Sequence, residues 1–184
     1  MIETPRLLLR RWREADAEPF FAMGQDAEVM RYLGPPLSRE DCAATIARQN
    51  ALADDWGSCF RAIERRADGV FLGFCGIKPG PDGTPIAGRP EIGWRLARAA
   101  WGQGYALEAA QASLDHAWAT TDWPEVAAIT VPANERSRGL MIRLGMTRDP
   151  AGDFDHPSLE PGDPLRRHLT CRIARPHIPP SPRT

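Results

Sequence analysis

Apolar positions change their period several times along the chain, and each change marks an element. Leu7-Leu8-Leu9, followed by Arg10-Arg11-Trp12, is a compact run that predicts a first strand. Residues 14–24 read as helical, and Asp26 opens a second, short helix with Val29, Met30 and Leu33 on one face. Ser38-Arg39-Glu40-Asp41 has the spacing of a capping box, with a hydroxyl at the N-cap and an acid three residues on. That helix runs to about Asp55, and Gly57 ends it.

Phe60–Glu64 and Val70–Lys78 predict the arms of a hairpin around Asp68-Gly69. Pro79–Pro90 holds four prolines and three glycines and is a loop. Glu91–Leu96 is a short strand. Tyr105–Thr120 is a helix with Leu107, Ala110, Leu114 and Trp118 at helical spacing. Val126–Val131 is a β-branched strand, and Asn134–Leu144 a helix with Gly145 suited to its C′ position. Residues 146–166 read as irregular and polar, His168–Ala174 as a last strand, and Pro176–Thr184 as a loose, proline-rich tail. The order predicts one mixed α/β domain over residues 1–175, with residues 176–184 outside it. An antiparallel meander lies in the middle, the later strand–helix units add a parallel pair beside it, and helices flank the sheet.

Composition narrows the function classes. A chain of 184 residues is about one domain. Its 42% hydrophobic and 26% charged residues suit a globular fold and exclude wholesale disorder. With 23 Lys+Arg against 24 Asp+Glu there is no basic excess, so nucleic acid is not an expected partner. Met1-Ile2-Glu3-Thr4-Pro5 lacks a basic start and an apolar run, and no stretch approaches the ~20 apolar residues of a membrane span. A cytoplasmic protein without membrane partners is expected. Cys42, Cys59, Cys75 and Cys171 form no CxxC pair and no zinc-like spacing, so reduced thiols and no metal are expected.

Two strand-to-helix junctions carry candidate chemistry. Trp101-Gly102-Gln103-Gly104-Tyr105-Ala106 precedes the 105–120 helix. Glycines let a backbone approach a ligand closely, and a helix N-terminus offers unpaired N–H groups and partial positive charge. Such a loop either binds a phosphate or simply turns the chain. A dinucleotide fingerprint would need glycine at position 107, where Leu107 stands, and no P-loop pattern is present. At the second junction, Asn134-Glu135-Arg136-Ser137 reads as plain helix capping or as a second edge of the same ligand site. Both junctions belong at the carboxyl edge of one sheet, where ligands of open α/β sheets bind.

These segments, with Arg6-Leu7-Leu8-Leu9-Arg10, Glu91-Ile92-Gly93-Trp94, Glu108-Ala109 and Arg143-Leu144-Gly145-Met146, resemble the GNAT superfamily of acyl-CoA-dependent N-acetyltransferases. Within it they are similar to the RimJ/RimL-type branch, over roughly residues 3–175. The resemblance implies a mostly antiparallel sheet with a splayed central parallel pair, strands 91–96 and 126–131. The superfamily's Q/R-x-x-G-x-G/A motif falls on Trp101, Gly104 and Ala106, with Trp101 replacing the polar first residue. Acetyl-CoA is the implied co-substrate. Backbone amides from about Gly102 through Gln103, Gly104, Tyr105 and Ala106 would hold its pyrophosphate. The pantetheine arm would lie in the splay beside Trp94, bonded by Asn134.

The implied reaction moves an acetyl group to a primary amine, either a small molecule or a protein N-terminus, by direct attack in a ternary complex. It needs a base for the ammonium, donors for the oxyanion and a proton for the thiolate. Glu91 is the candidate base. A backbone N–H near Trp94 or Arg95, freed by a bulge at Gly93, is the candidate oxyanion donor. Many relatives carry a tyrosine as acid where this chain has Met141, which leaves Ser137 as the hydroxyl near the sulfur. Asp153, Asp155 and His156 suggest a rim for the cationic acceptor or a solvated turn, and His156 competes with Glu91 as base. The resemblance also implies a homodimer. A catalytically silent acyl-CoA-binding module is the alternative.

Overall fold

The computed structural model describes residues 1–176. The proline-rich tail lies almost wholly outside the described residues. Strand β1 (Ile2–Glu3) pairs with β2 (Leu7–Arg10), which pairs with β3 (Phe60–Arg65). The hairpin of β3 and β4 (Phe71–Pro79) turns at Asp68-Gly69, and β4 pairs with β5 (Pro90–Leu96). All of these contacts are antiparallel. Strand β6 (Glu125–Thr130) then lies parallel to β5 and antiparallel to β9 (Arg167–Ala174). Among the described residues the sheet has nine strands.

Two of them fall where the sequence predicts irregular chain. Strands β7 (Thr147–Arg148) and β8 (Phe154–Asp155) both pair with β9. Two residues are too few to show an alternating pattern, so periodicity cannot reveal them. Their order comes from tertiary bonds. Arg148 clasps Asp153, and the Thr170 N–H donates to Asp153 Oδ1 (2.9 Å).

The helices divide between the two faces. Helices α1 (Ala17–Gln25), α2 (Ala27–Met30) and α3 (Arg39–Asp55) cover one face over Trp12, Phe20, Met23, Val29 and Phe74. Helix α3 starts at the expected capping box. Ser38 Oγ accepts from the Asp41 N–H (3.0 Å), and Asp41 Oδ2 accepts from the Ser38 N–H (2.9 Å). Helices α4 (Tyr105–Thr120) and α5 (Glu135–Arg143) lie on the other face over Leu7, Leu9, Ile63, Ile92 and Val126. Residues 14–16, predicted as the start of α1, form a separate 3-10 turn. Asp16 in that turn takes two hydrogen bonds from the buried Arg10 guanidinium (2.7 and 2.8 Å).

The functional edge arises where the sheet changes direction. Strands β5 and β6 pair at one register only, Glu91 opposite Ala127, and then diverge. Beyond Glu91 the β6-facing edge of β5 has no strand partner, so its backbone groups there are open.

Candidate active site

The diverging strands open into a cavity of about 780 Å³. Its walls come from the end of β5, the glycine loop, the starts of α4 and α5, and α2. The glycine loop, the end of β5 and the Asn134 junction, which the sequence places at this carboxyl edge, therefore line one site.

Gly104 is the N-cap of α4, with φ +80° and ψ 0°. That left-handed conformation disfavours a side chain. A Cβ there would stand 3.4 Å from Arg6 Nη2. Gly102 also has positive φ, +73°. The two turns leave the first-turn amides of α4 facing the cavity beside Tyr105, Ala106 and Leu107. Gln103 offers the loop its backbone amide only. Its side chain turns back to donate to the Ala99 carbonyl (2.8 Å), and it does not line the cavity.

The loop is held from outside by residues whose motif was legible but whose work was not. Arg6 Nη1 donates to the Gln103 carbonyl (2.9 Å), and Arg6 Nε donates to Glu108 Oε2 (2.6 Å). Thr4 Oγ1 also donates to Glu108 Oε1 (2.6 Å). The Arg6 guanidinium lies 4.5 Å from the Tyr105 ring centroid. Trp101 Nε1 donates to the Leu96 carbonyl (2.9 Å), tying the loop to the end of β5. The indole that replaces the motif's polar residue is thus an anchor. Arg6 and Thr4 stand about a hundred residues from their partners in the chain, so no local pattern could pair them.

Asn134 combines both sequence readings. Its Oδ1 accepts from the Ser137 N–H (3.2 Å) and so caps α5. Its Nδ2 has no protein partner among the described residues, and the residue lines the cavity. Trp94 Nε1 donates to Ser137 Oγ across the splay (3.3 Å). With a lone pair so occupied, the Ser137 O–H is free to donate into the cavity. Met141 is packed in the core, 2% exposed. Arg136 and Arg143 add positive charge along the α5 wall.

Glu91 sits at the apex of the splay, 7% exposed. Burial raises its carboxyl pKa, against the opposing charge of Lys78. Lys78 Nζ donates to Glu91 Oε2 (2.6 Å) and to the Pro79 carbonyl (3.0 Å). His156 is close enough that its charge also lowers the Glu91 pKa. The structure therefore gathers both candidate bases in one corner. Neither lines the main cavity, and Phe60 stands over Gly93 on the face of β5 between Glu91 and the cavity-lining Arg95. A Cβ at Gly93 would lie 2.6 Å from the Phe60 ring. Gly93 forms no bulge: β5 pairs with β4 in unbroken register from Pro90 to Leu96. The open amides of β5 come from the departure of β6 instead.

Asp153 and Asp155 do not form a free acidic rim. Asp153 is clasped by Arg148, which holds its pKa below the usual carboxylate range. Asp155 stands near Arg167 (3.4 Å) and Arg166 (3.6 Å). Among the described residues no group of His, Cys, Asp or Glu is placed to hold a metal ion. No helix among them is long and apolar enough to cross a membrane. The four cysteines are separate, buried thiols.

A mixed sheet whose parallel pair splays over a glycine-turned helix N-terminus defines an acyl-CoA-type transferase site. The family model described as an acetyltransferase (GNAT) domain matches residues 6–147. The chain belongs to this GNAT family, and it is an acyl-CoA-dependent acetyltransferase. It is similar to the uncharacterized protein YkkB of Bacillus subtilis, 30% identical over 144 residues, covering 78% of this chain and 83% of that protein. An acetyltransferase from Agrobacterium tumefaciens superposes with TM-score 0.75 at 27% identity, covering 94% of this chain and 92% of that one. RimJ of Mycobacterium smegmatis, solved with a CoA disulfide, shares the fold with TM-score 0.72 at 21% identity, covering 91% and 81%.

Proposed function

We propose that the protein transfers acetyl from acetyl-CoA to a primary amine by direct attack in a ternary complex. The observation that carries this is the single continuous cavity. It joins the α4 N-terminus, the open end of β5, and the α2 wall. An extended co-substrate entering at one end would meet an acceptor at the other.

The residues present suit acetyl-CoA. Amides from Gly102 to Leu107 face a pyrophosphate, with Gly104 leaving room for close approach. Arg136 and Arg143 supply charge for the remaining phosphate. The open edge of β5 pairs with the pantetheine amides as a strand would, and Asn134 Nδ2 donates to the same arm. Acetyl-CoA supplies the activated thioester.

The protein then manages the amine's proton and two developing negative charges, on the carbonyl oxygen and on the departing sulfur. A β5 amide near Trp94 donates to the carbonyl oxygen as it gains charge. The amine's proton passes to Glu91 through a water, because Lys78 and Phe60 keep the carboxylate off the cavity. The raised pKa of Glu91 brings it closer to the pH at which a base works. Ser137 Oγ–H donates to the departing sulfur and stabilises it as thiolate.

Acceptors of this chemistry include small amines and protein N-termini, in a cytoplasmic setting. The second reading, an acyl-CoA sensor without turnover, is favoured by Met141, whose thioether cannot supply a proton. Calorimetric titration with acetyl-CoA, followed by thiol release with an amine panel, separates the two. One-site binding with turnover supports transfer. Binding without turnover for any amine supports the sensor. No binding at millimolar acetyl-CoA overturns both.

A further inference from the structure

Arg95 is a half-buried cation lining the cavity, and no carboxylate pairs with it among the described residues. It stands on β5 four residues past Glu91, so both side chains leave the same face of the sheet. That is the face covered by α1, α2 and α3. The Arg95 guanidinium lies 5.4 Å from the Phe74 ring centroid, and Nη1 is 3.6 Å from the Met30 sulfur, a weak acceptor. Its Nε is buried without a hydrogen-bond partner among the described residues. Burial lowers its pKa to about 10. Glu28 and Glu135 line the same cavity, but neither pairs with it among the described residues. Arg10, which is buried, shows the ordinary solution: Asp16 and Glu64 both hold it.

A half-buried guanidinium without a counter-ion is costly to keep. It is the natural partner of a planar carboxylate, which its fork engages with two parallel bonds. The pyrophosphate of the co-substrate does not supply that anion. Its cradle belongs to the start of α4, on the opposite face of the sheet from Phe74 and Met30.

We propose that Arg95 selects the acceptor, and that the acceptor is a small primary amine carrying a carboxylate, of the amino-acid class. This rests on the acetyl-transfer reading above. Tyr32 and Leu33, in the turn after α2, line the cavity on the same side and shape the space for the acceptor's side chain.

The test compares the common L-amino acids with their matched amides, at saturating acetyl-CoA, by thiol release. Wild type is expected to use the acids with kcat/KM about tenfold or more above the amides, as a charged hydrogen-bonded pair allows. Arg95→Met is expected to lower kcat/KM for the acids by about 10- to 100-fold, leave the amides unchanged and leave acetyl-CoA affinity unchanged. Arg95→Lys keeps the charge without the fork and is expected to fall between them. Equal use of acids and amides by wild type overturns the inference and leaves acetyl transfer standing. Titration of the same acids into the CoA-loaded protein reads the subsite without catalysis. Arg95-dependent binding without turnover supports the subsite and overturns the transfer reading; neither binding nor turnover overturns both.

Discussion

Replacing Gly104 by alanine separates two effects that the loop geometry combines. At φ +80° an alanine is in left-handed backbone, which costs about 1–2 kcal/mol. The added Cβ meets Arg6 Nη2 at 3.4 Å, ordinary contact, so crowding within the protein adds little. A domain of this size loses about 2–4 °C of Tm per kcal/mol, so a fall of about 2–8 °C is expected. Gly145 supplies the control. Its φ is +79°, it ends α5 away from the cavity, and a Cβ there meets nothing within 4 Å. Gly145→Ala should therefore lose the same stability. Acetyl-CoA affinity should fall about tenfold or more in Gly104→Ala alone, because its methyl group occupies the approach to the pyrophosphate. Calorimetric titration and thermal melts of both variants provide the comparison. Unchanged affinity in Gly104→Ala, or equal loss in both, would refute the placement of the phosphate cradle.

Glu91→Gln should lower kcat and remove the acidic limb of the pH–rate profile. In wild type that limb should lie above the ordinary carboxylate value of 4.5, since burial raises the pKa and activity is lost as pH falls through it; an identical profile in the variant would exclude Glu91. Asp16→Ala strands the Arg10 charge, whose side chain is 7% exposed, with Glu64 as its remaining partner. Urea unfolding should show a loss of about 3–5 kcal/mol, toward the lower end, and a loss below about 1 kcal/mol would contradict the buried network. Burial lowers the pKa of both His168 and His116 below 6.5, so the unfolded chain takes up protons first as pH falls. Stability present above pH 6.5 should therefore decline between there and the folded pKa values, visible as a lower Tm at pH 5.5 than at 7.5. His168→Phe keeps the stack on Phe154 (centroids 5.4 Å apart) and should flatten that slope; an unchanged slope would remove His168 from the account.

The long elements were legible because each carries its own period and its own stop signals. Helix α3 shows this in its capping box, and α4 in the spacing of Leu107, Ala110 and Leu114. The glycine loop and the Asn134 cap were legible for the same reason, since backbone conformation and capping act within a few residues. The parallel pair followed from the alternation of strand and helix late in the chain. What those local signals determined is which residues reach the carboxyl edge.

Tertiary structure alone decided what each side chain does there. Gln103 belongs to the loop but turns to Ala99, and Asp153 belongs to an acidic run but serves Arg148. Arg6 grips the loop from the far end of the chain through Glu108. Glu91 pairs with Lys78 beside Phe60, while Arg95 on the same strand has no counter-ion among the described residues. Charge pairing and burial are properties of distance in space. A sequence specifies that distance only once the sheet has closed and β6 has turned away from β5.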